Sequence, residues 1–137
     1  FISTLGLNNS SAKLLYEDTI LVALVGATIG KVALLKTNTS TNQNIGFIKP
    51  NKDVANPIFL FYLFQGLYPL FTGIGDGKFK MVNLSFIRNL PIILPPLELQ
   101  EKFAAGIEQI EAQKKTVIET TTTLKTLLDS RMDYYFG

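Results

Sequence analysis

After Pro96 the chain contains no further proline, and Gly106 is its only glycine before the terminal Gly137. Proline breaks a helix interior and glycine weakens it, so this stretch is free to run as one helix. Pro96 itself suits a first helical turn. Positions 103, 107, 110, 114, 117, 121, 124, 128 and 131 step alternately by four and three. They read Phe103, Ile107, Ile110, Lys114, Val117, Thr121, Leu124, Leu128 and Arg131, and six of the nine are large and apolar. That spacing is a coiled-coil seam; its polar interruptions at Lys114, Thr121 and Arg131 cost stability and set register or partner. Thr120–Thr123 is a poor helix-forming run, so packing must supply the stability. Roughly 40 residues at 1.5 Å each give a helix of ~60 Å, longer than the preceding 95 residues can cover. The seam therefore requires a partner helix, from another chain or from another part of its own. A single amphipathic helix lying back on the preceding globule is the simpler reading against it.

Composition breaks at the same place. Residues 1–95 carry eight basic and four acidic side chains, a balance of +4; residues 96–137 carry five and seven, a balance of −2. Nearly all glycines precede the break. The expected organisation is a turn-rich, mildly basic globule over residues 1–95 and a slightly acidic rod over 96–137. The basic half is the one suited to a polyanion. The expected fold class is α+β, a small twisted β-sheet globule with a buried helix, followed by one long C-terminal coiled-coil helix.

The chain has no Cys and no His. That excludes disulfides, thiolate metal sites, Ser–His and Cys–His catalysis and most zinc or iron centres. Carboxylate oxygen sites for Mg²⁺ or Ca²⁺ remain open in principle, but Glu17, Asp18, Asp53 and Asp76, the acids of the globule, form no spaced metal motif. The chain reads as non-catalytic and without a cofactor. It opens on Phe1 with no basic segment or small-residue cleavage site, so it reads as a trimmed piece without a secretory signal, and the expected location is the cytoplasm. Two apolar stretches, 19–35 and 57–71, are shorter than the ~20 residues of a spanning helix and are interrupted by Lys31 and Pro69. They read as a buried strand pair and a buried helix, with no membrane partner.

Along the globule, Thr19–Val25 and Val32–Leu35 read as strands of a hairpin around the turn Gly26–Gly30. Lys36–Gln43 reads as a polar loop and Asn44–Lys49 as a third strand. Asn56-Pro57 opens a helix, with Asn as N-cap and Pro at the first helical position, and Pro69 stops it. Residues 72–83 read as an exposed glycine-rich loop, 84–87 as a short helical turn or strand, and Leu90–Leu94 as a last strand.

Three segments carry chemistry. Gly26-Ala-Thr-Ile-Gly30-Lys31 follows an apolar strand and invites a phosphate-loop reading. It departs from that template three times: three residues separate the glycines instead of four, Val32 replaces the metal-binding hydroxyl, and the next residues are strand-like. A turn with an exposed Lys31 can still contact a DNA phosphate. Asn38–Asn44 is rich in side-chain amides, which can pair with an adenine edge in the major groove; an ordinary polar loop has the same composition. In Gly73–Asn83, Lys78 and Lys80 flank Phe79, a pattern that suits a nucleic-acid backbone or a solvated loop.

Together and in order, GATIGK, TNQN, NPIFLFYLF and LPIILPPLELQEKF, with the helix that follows, resemble the DNA-specificity subunit of type I restriction-modification systems over Phe1–Leu128. The resemblance implies a target-recognition domain followed by a conserved spacer helix. In that family two such helices pair antiparallel, and each recognition domain reads one half of a split double-stranded DNA sequence. The helices seat modification methyltransferase subunits, and restriction subunits join the assembly. The subunit itself has no catalytic site. The family's recognition domain has residues ahead of the match to Phe1, so the chain is expected to be the later part of one, either trimmed or encoded by a half-length gene.

Carried over by position, the DNA-facing loops are expected around Thr28–Lys31, Thr41–Asn44 and Lys78–Asn83. Lys31, Lys78 and Lys80 would neutralise phosphates; Asn42, Gln43 and Asn44 would reach base edges; Thr28, Thr41 and Asn83 flank them. Phe103, Ile107, Ile110, Lys114, Val117, Thr121, Leu124 and Leu128 would pair helices, including across two copies of the chain as a homodimer. The competing readings are a coiled-coil dimerisation module without DNA binding and, on GATIGK alone, a nucleotide-binding enzyme.

Overall fold

The computed structural model describes residues 5–6, 9–10, 12–73 and 82–137. It falls into two compact units, Phe1–Glu101 and Lys102–Gly137. The architecture is α+β, with small antiparallel sheets and a long C-terminal helix. The described strands are β1 (Lys13–Leu15), β2 (Ile20–Ala23), β3 (Val32–Leu34), β4 (Thr39–Thr41) and β5 (Ile45–Ile48). The described helices are α1 (Pro57–Gly66), α2 (Tyr68–Thr72), α3 (Leu84–Arg88) and α4 (Leu97–Phe136).

The expected hairpin forms: β2 and β3 pair antiparallel with Ile20 opposite Leu34 and Val22 opposite Val32. Strand β5 takes the other edge of β2, with Val22 opposite Gly46 and Ala23 opposite Ile45, giving the order β3-β2-β5. Strand side chains alternate between faces, and Ile20 and Val22 are accordingly fully buried while Leu21 and Ala23 are half-buried. Ile29, Leu60, Phe64 and Phe71 complete the core around β2.

The single expected sheet is in fact two. The expected loop over 36–43 contains β4, which pairs with β1 in a separate two-stranded sheet, Lys13 opposite Thr41 and Leu15 opposite Thr39. Thr39-Ser40-Thr41 has no apolar alternation to announce a strand. Its pairing comes from a partner 26 residues or so away in sequence, which local pattern does not reveal. The expected strand at Leu90–Leu94 does not form: Pro91 and Pro95 supply no N–H for a ladder.

Helix α1 begins as its sequence indicates. The Asn56 Oδ1 accepts from the Ile58 and Phe59 N–H groups (2.9 and 3.2 Å), and Pro57 occupies the first turn. It ends at Gly66, and Pro69 lies in the first turn of α2 rather than stopping a single helix. The buried Phe71 ring of α2 meets Phe86 of α3 edge-on at 5.9 Å.

The first turn of α4 is fastened by Gln100, which is fully buried. Its Oε1 accepts from the Asn56 N–H (2.9 Å), and its Nε2 donates to the Val54 and Pro95 carbonyls (3.0 and 2.7 Å). One side chain thus joins the chain entering α1 to the chain entering α4. Further along, Thr120, Thr121, Thr122 and Thr123 each donate Oγ1 to the carbonyl four residues back (2.8–3.0 Å). The threonine run therefore satisfies its hydroxyls on its own backbone. Among the described residues, no helix is long and apolar enough to cross a membrane.

Candidate nucleic-acid interface

Two consecutive residues at the end of β2 collect three chain segments. The Ala23 N–H donates to the Lys31 carbonyl, and the Gly30 N–H donates to the Ala23 carbonyl, both at 2.9 Å. The Leu24 N–H donates to the Asn44 carbonyl, and the Val82 N–H donates to the Leu24 carbonyl, again at 2.9 Å. The loops carrying Thr28–Lys31 and Asn42–Asn44 and the segment carrying Asn83 thereby meet at one end of the three-stranded sheet. Thr28–Lys31 and Asn44 flank β2 on opposite sides, two strand spacings or ~10 Å apart. Lys78 and Lys80, also expected here, lie outside the described residues.

Tight backbone geometry makes the first loop. Residues Gly26–Thr28 form a 3-10 turn, Gly26 and Gly30 have φ of +75° and +76°, and the Lys31 N–H donates to the Thr28 carbonyl (2.9 Å). Glycine adopts that conformation without steric penalty. Gly30 has a second constraint: a Cβ there would lie 2.4 Å from the Phe71 Cβ. Lys31 is exposed and, among the described residues, in no ion pair. With Gln65 and Tyr68 it lines a cleft of about 420 Å³. An ammonium, an amide and a phenol together can donate to an anionic oxygen.

The amide loop is also built by its own side chains. The Asn42 Oδ1 accepts from the Asn44 N–H (3.0 Å), and the Asn42 carbonyl accepts from the Ile45 N–H (3.3 Å). This Asx turn commits part of Asn42 to shaping the loop. Asn83 has a similar duty, since its Oδ1 accepts from the Phe86 N–H at 2.7 Å and caps α3. Gln43 and Asn44 are exposed and, among the described residues, make no side-chain hydrogen bond, and Thr41 ends β4.

Residues absent from the sequence expectation lie beside this loop. Lys13 and Phe47, together with the expected Thr41, Asn42 and Gln43, line a cleft of about 600 Å³. Lys49 places its Nζ 5.8 Å from the Phe47 ring and 5.9 Å from the Tyr16 ring. The signal for Phe47 and Lys49 is the two-residue alternation that sets Ile45 and Phe47 on one face of β5 and continues to Lys49 just past its end. Lys13 had no such signal, because β1 is legible only through its pairing with β4. By contrast Lys52 is neutralised locally: its Nζ lies 2.6 Å from the Asp18 carboxylate, which raises its pKa above 10.5, first through the hydrogen bond and then through charge attraction.

The eight helix-pairing positions all lie on α4. Ile110, Val117, Leu124 and Leu128 are 57–63% exposed in the single chain. Lys114 reaches Glu111 on its own helix (3.6 Å), and the Thr121 hydroxyl is held by the Val117 carbonyl (2.8 Å). Thr121 thus offers the seam a methyl group rather than an unsatisfied hydroxyl.

A protein of Methanocaldococcus jannaschii, described as a type I restriction enzyme MjaX specificity subunit, is 27% identical over 132 aligned residues, 85% of this chain. A solved structure from work on complex assembly and conformational transition of the type I R-M system shares the fold, with a TM-score of 0.64 and 24% identity over 88% of this chain. The chain spans 31% of the length of each of these two proteins. Over residues 1–126 it matches the model of the type I restriction modification DNA specificity domain, and the chain belongs to that family.

Proposed function

We propose that this chain is a non-catalytic DNA-reading element of a type I restriction-modification enzyme. Residues 1–95 read one half of a split double-stranded target, and the helix of residues 96–137 acts as spacer and docking rod. Lys31 neutralises a phosphate and Gln43 and Asn44 reach base edges, while Asn42 and Asn83 hold the loops that present them. Lys78 and Lys80 are proposed as further phosphate contacts. The helix seats modification methyltransferase subunits, with restriction subunits joining through the complex in the cytoplasm, and its seam pairs with a second helix, as in a homodimer.

The observation that carries this reading is the meeting of the Gly30–Lys31, Asn44 and Val82–Asn83 segments on Ala23 and Leu24. Base-contacting side chains need rigid support on a scaffold, and each of these segments is tied to the central strand by a backbone hydrogen bond. Selection from a pool of randomised DNA duplexes tests it. The expected outcome is enrichment of a short asymmetric sequence, lost in the Gln43→Ala, Asn44→Ala double variant. Absence of any enriched sequence overturns it.

The second reading, a dimerisation module without DNA binding, draws on the exposed apolar seam of α4. It predicts self-association in the same chain that leaves a randomised DNA pool unenriched.

A further inference from the structure

The geometry points to a phosphate-backbone track along the outer face of β5, with Lys13 and Lys49 as its two anchoring cations. This rests on the DNA reading above and extends it away from the loop end of the sheet.

Phe47 lies on the exposed face of β5, and Lys49 follows one residue past the strand's end on the same side, beside the Phe47 ring. The Lys49 ammonium stands over two rings, 5.8 Å from Phe47 and 5.9 Å from Tyr16. Two aromatic faces hold a cation in place without neutralising it, unlike a carboxylate. The flexible lysine stem is thereby partly ordered before a ligand arrives, which lowers the entropy cost of binding. Lys13, opposite Thr41 in the small sheet, lines the neighbouring cleft of about 600 Å³, and among the described residues no acid lines that cleft. Among the described residues neither lysine enters an ion pair. Lys52 is by contrast held by Asp18.

The occupant follows from charge and continuity. The same cleft is lined by Gln43, the amide proposed to reach base edges. A polyanion read at Gln43 has its next phosphates within reach of the face that carries Lys13 and Lys49. From Asn44 to Lys49 the chain, running through β5, advances at most about 17 Å, or about five base steps of one DNA strand. The track therefore contacts backbone beyond the bases read by the turn, and it contributes affinity without sequence preference.

The test is titration of the full chain with a fluorescent duplex of mixed sequence across a range of monovalent salt. Each phosphate neutralised contributes about −0.9 to the slope of log affinity against log salt. Lys13→Gln and Lys49→Gln are expected each to lower the magnitude of that slope by about 0.9, with circular dichroism unchanged, and Lys49→Arg to retain it, because it keeps both the charge and the ring contacts. A parent that binds and selects a sequence, with slopes unaltered in either glutamine variant, overturns the track and leaves the loop-end reading standing. A parent that binds no duplex at low salt overturns both.

Discussion

At the level of single residues, the loop end of the sheet depends on positions where a side chain is either forbidden or already employed. Gly26 and Gly30 share nearly the same positive φ, yet they differ in surroundings. Around Gly26 a Cβ meets nothing within 4 Å; at Gly30 it collides with the Phe71 Cβ at 2.4 Å. Gly26→Ala is expected to cost about 1 kcal/mol from the left-handed backbone alone. Gly30→Ala adds overpacking and should cost about 3 kcal/mol in total. Urea unfolding with parallel slopes measures both, and equal losses at the two positions would refute the contact with Phe71. The glycine pair was legible in GATIGK as a turn. Its closeness to Phe71 was not, because 41 residues separate Gly30 from Phe71 and no local pattern encodes the meeting. Asn42 illustrates the converse: its amide is visible as a candidate base contact, but its use within the Asx turn becomes visible only in the folded backbone.

At the level of elements, legibility tracks how local the cause is. Helix α1 was readable because its cap, Asn56, and its first-turn Pro57 act within three residues. Helix α4 was readable because its period repeats for many turns. Strands β1 and β4 were not, since three-residue strands exist through each other, and the polar Thr39-Ser40-Thr41 carries no inward face to betray it. Gln100 lies between these cases. It sits in the quoted stretch LPIILPPLELQEKF, but its role depends on partners 44 and 46 positions away. Replacing it with Ala leaves the Asn56 N–H and the Val54 and Pro95 carbonyls without their partner and opens a void. The expected cost is about 2–4 kcal/mol. Gln100→Met fills the space without bonding, so it should recover only part of that loss in urea unfolding. Full recovery with Met would mean that packing, not hydrogen bonding, fastens the start of α4.

For the whole molecule, the charge asymmetry separates the two proposed activities by their response to salt. On the proposed reading, the globule's balance of +4, with Lys13, Lys31 and Lys49 in no ion pair among the described residues, makes DNA binding a counterion-release process that weakens steeply as salt rises. The α4 seam is apolar, on a segment with a balance of −2, so helix pairing between copies gains from apolar burial and loses only a little repulsion to screening. Raising salt should therefore release DNA while leaving self-association intact or slightly stronger. Sedimentation equilibrium of the parent chain is expected to give a dimer across that salt range. Leu124 is 60% exposed in the single chain, and pairing would bury it. Leu124→Asp places an unpaired carboxylate in the seam, and a cost on the order of 3 kcal/mol corresponds to a ~100-fold weaker dimer. The same variant keeps every lysine, so its salt slope on duplex DNA per chain should match the parent. A parent that stays monomeric at high concentration refutes self-pairing, and the seam must then be covered by a helix from elsewhere in the assembly. Loss of DNA binding on Leu124→Asp would instead mean that reading requires two copies held together.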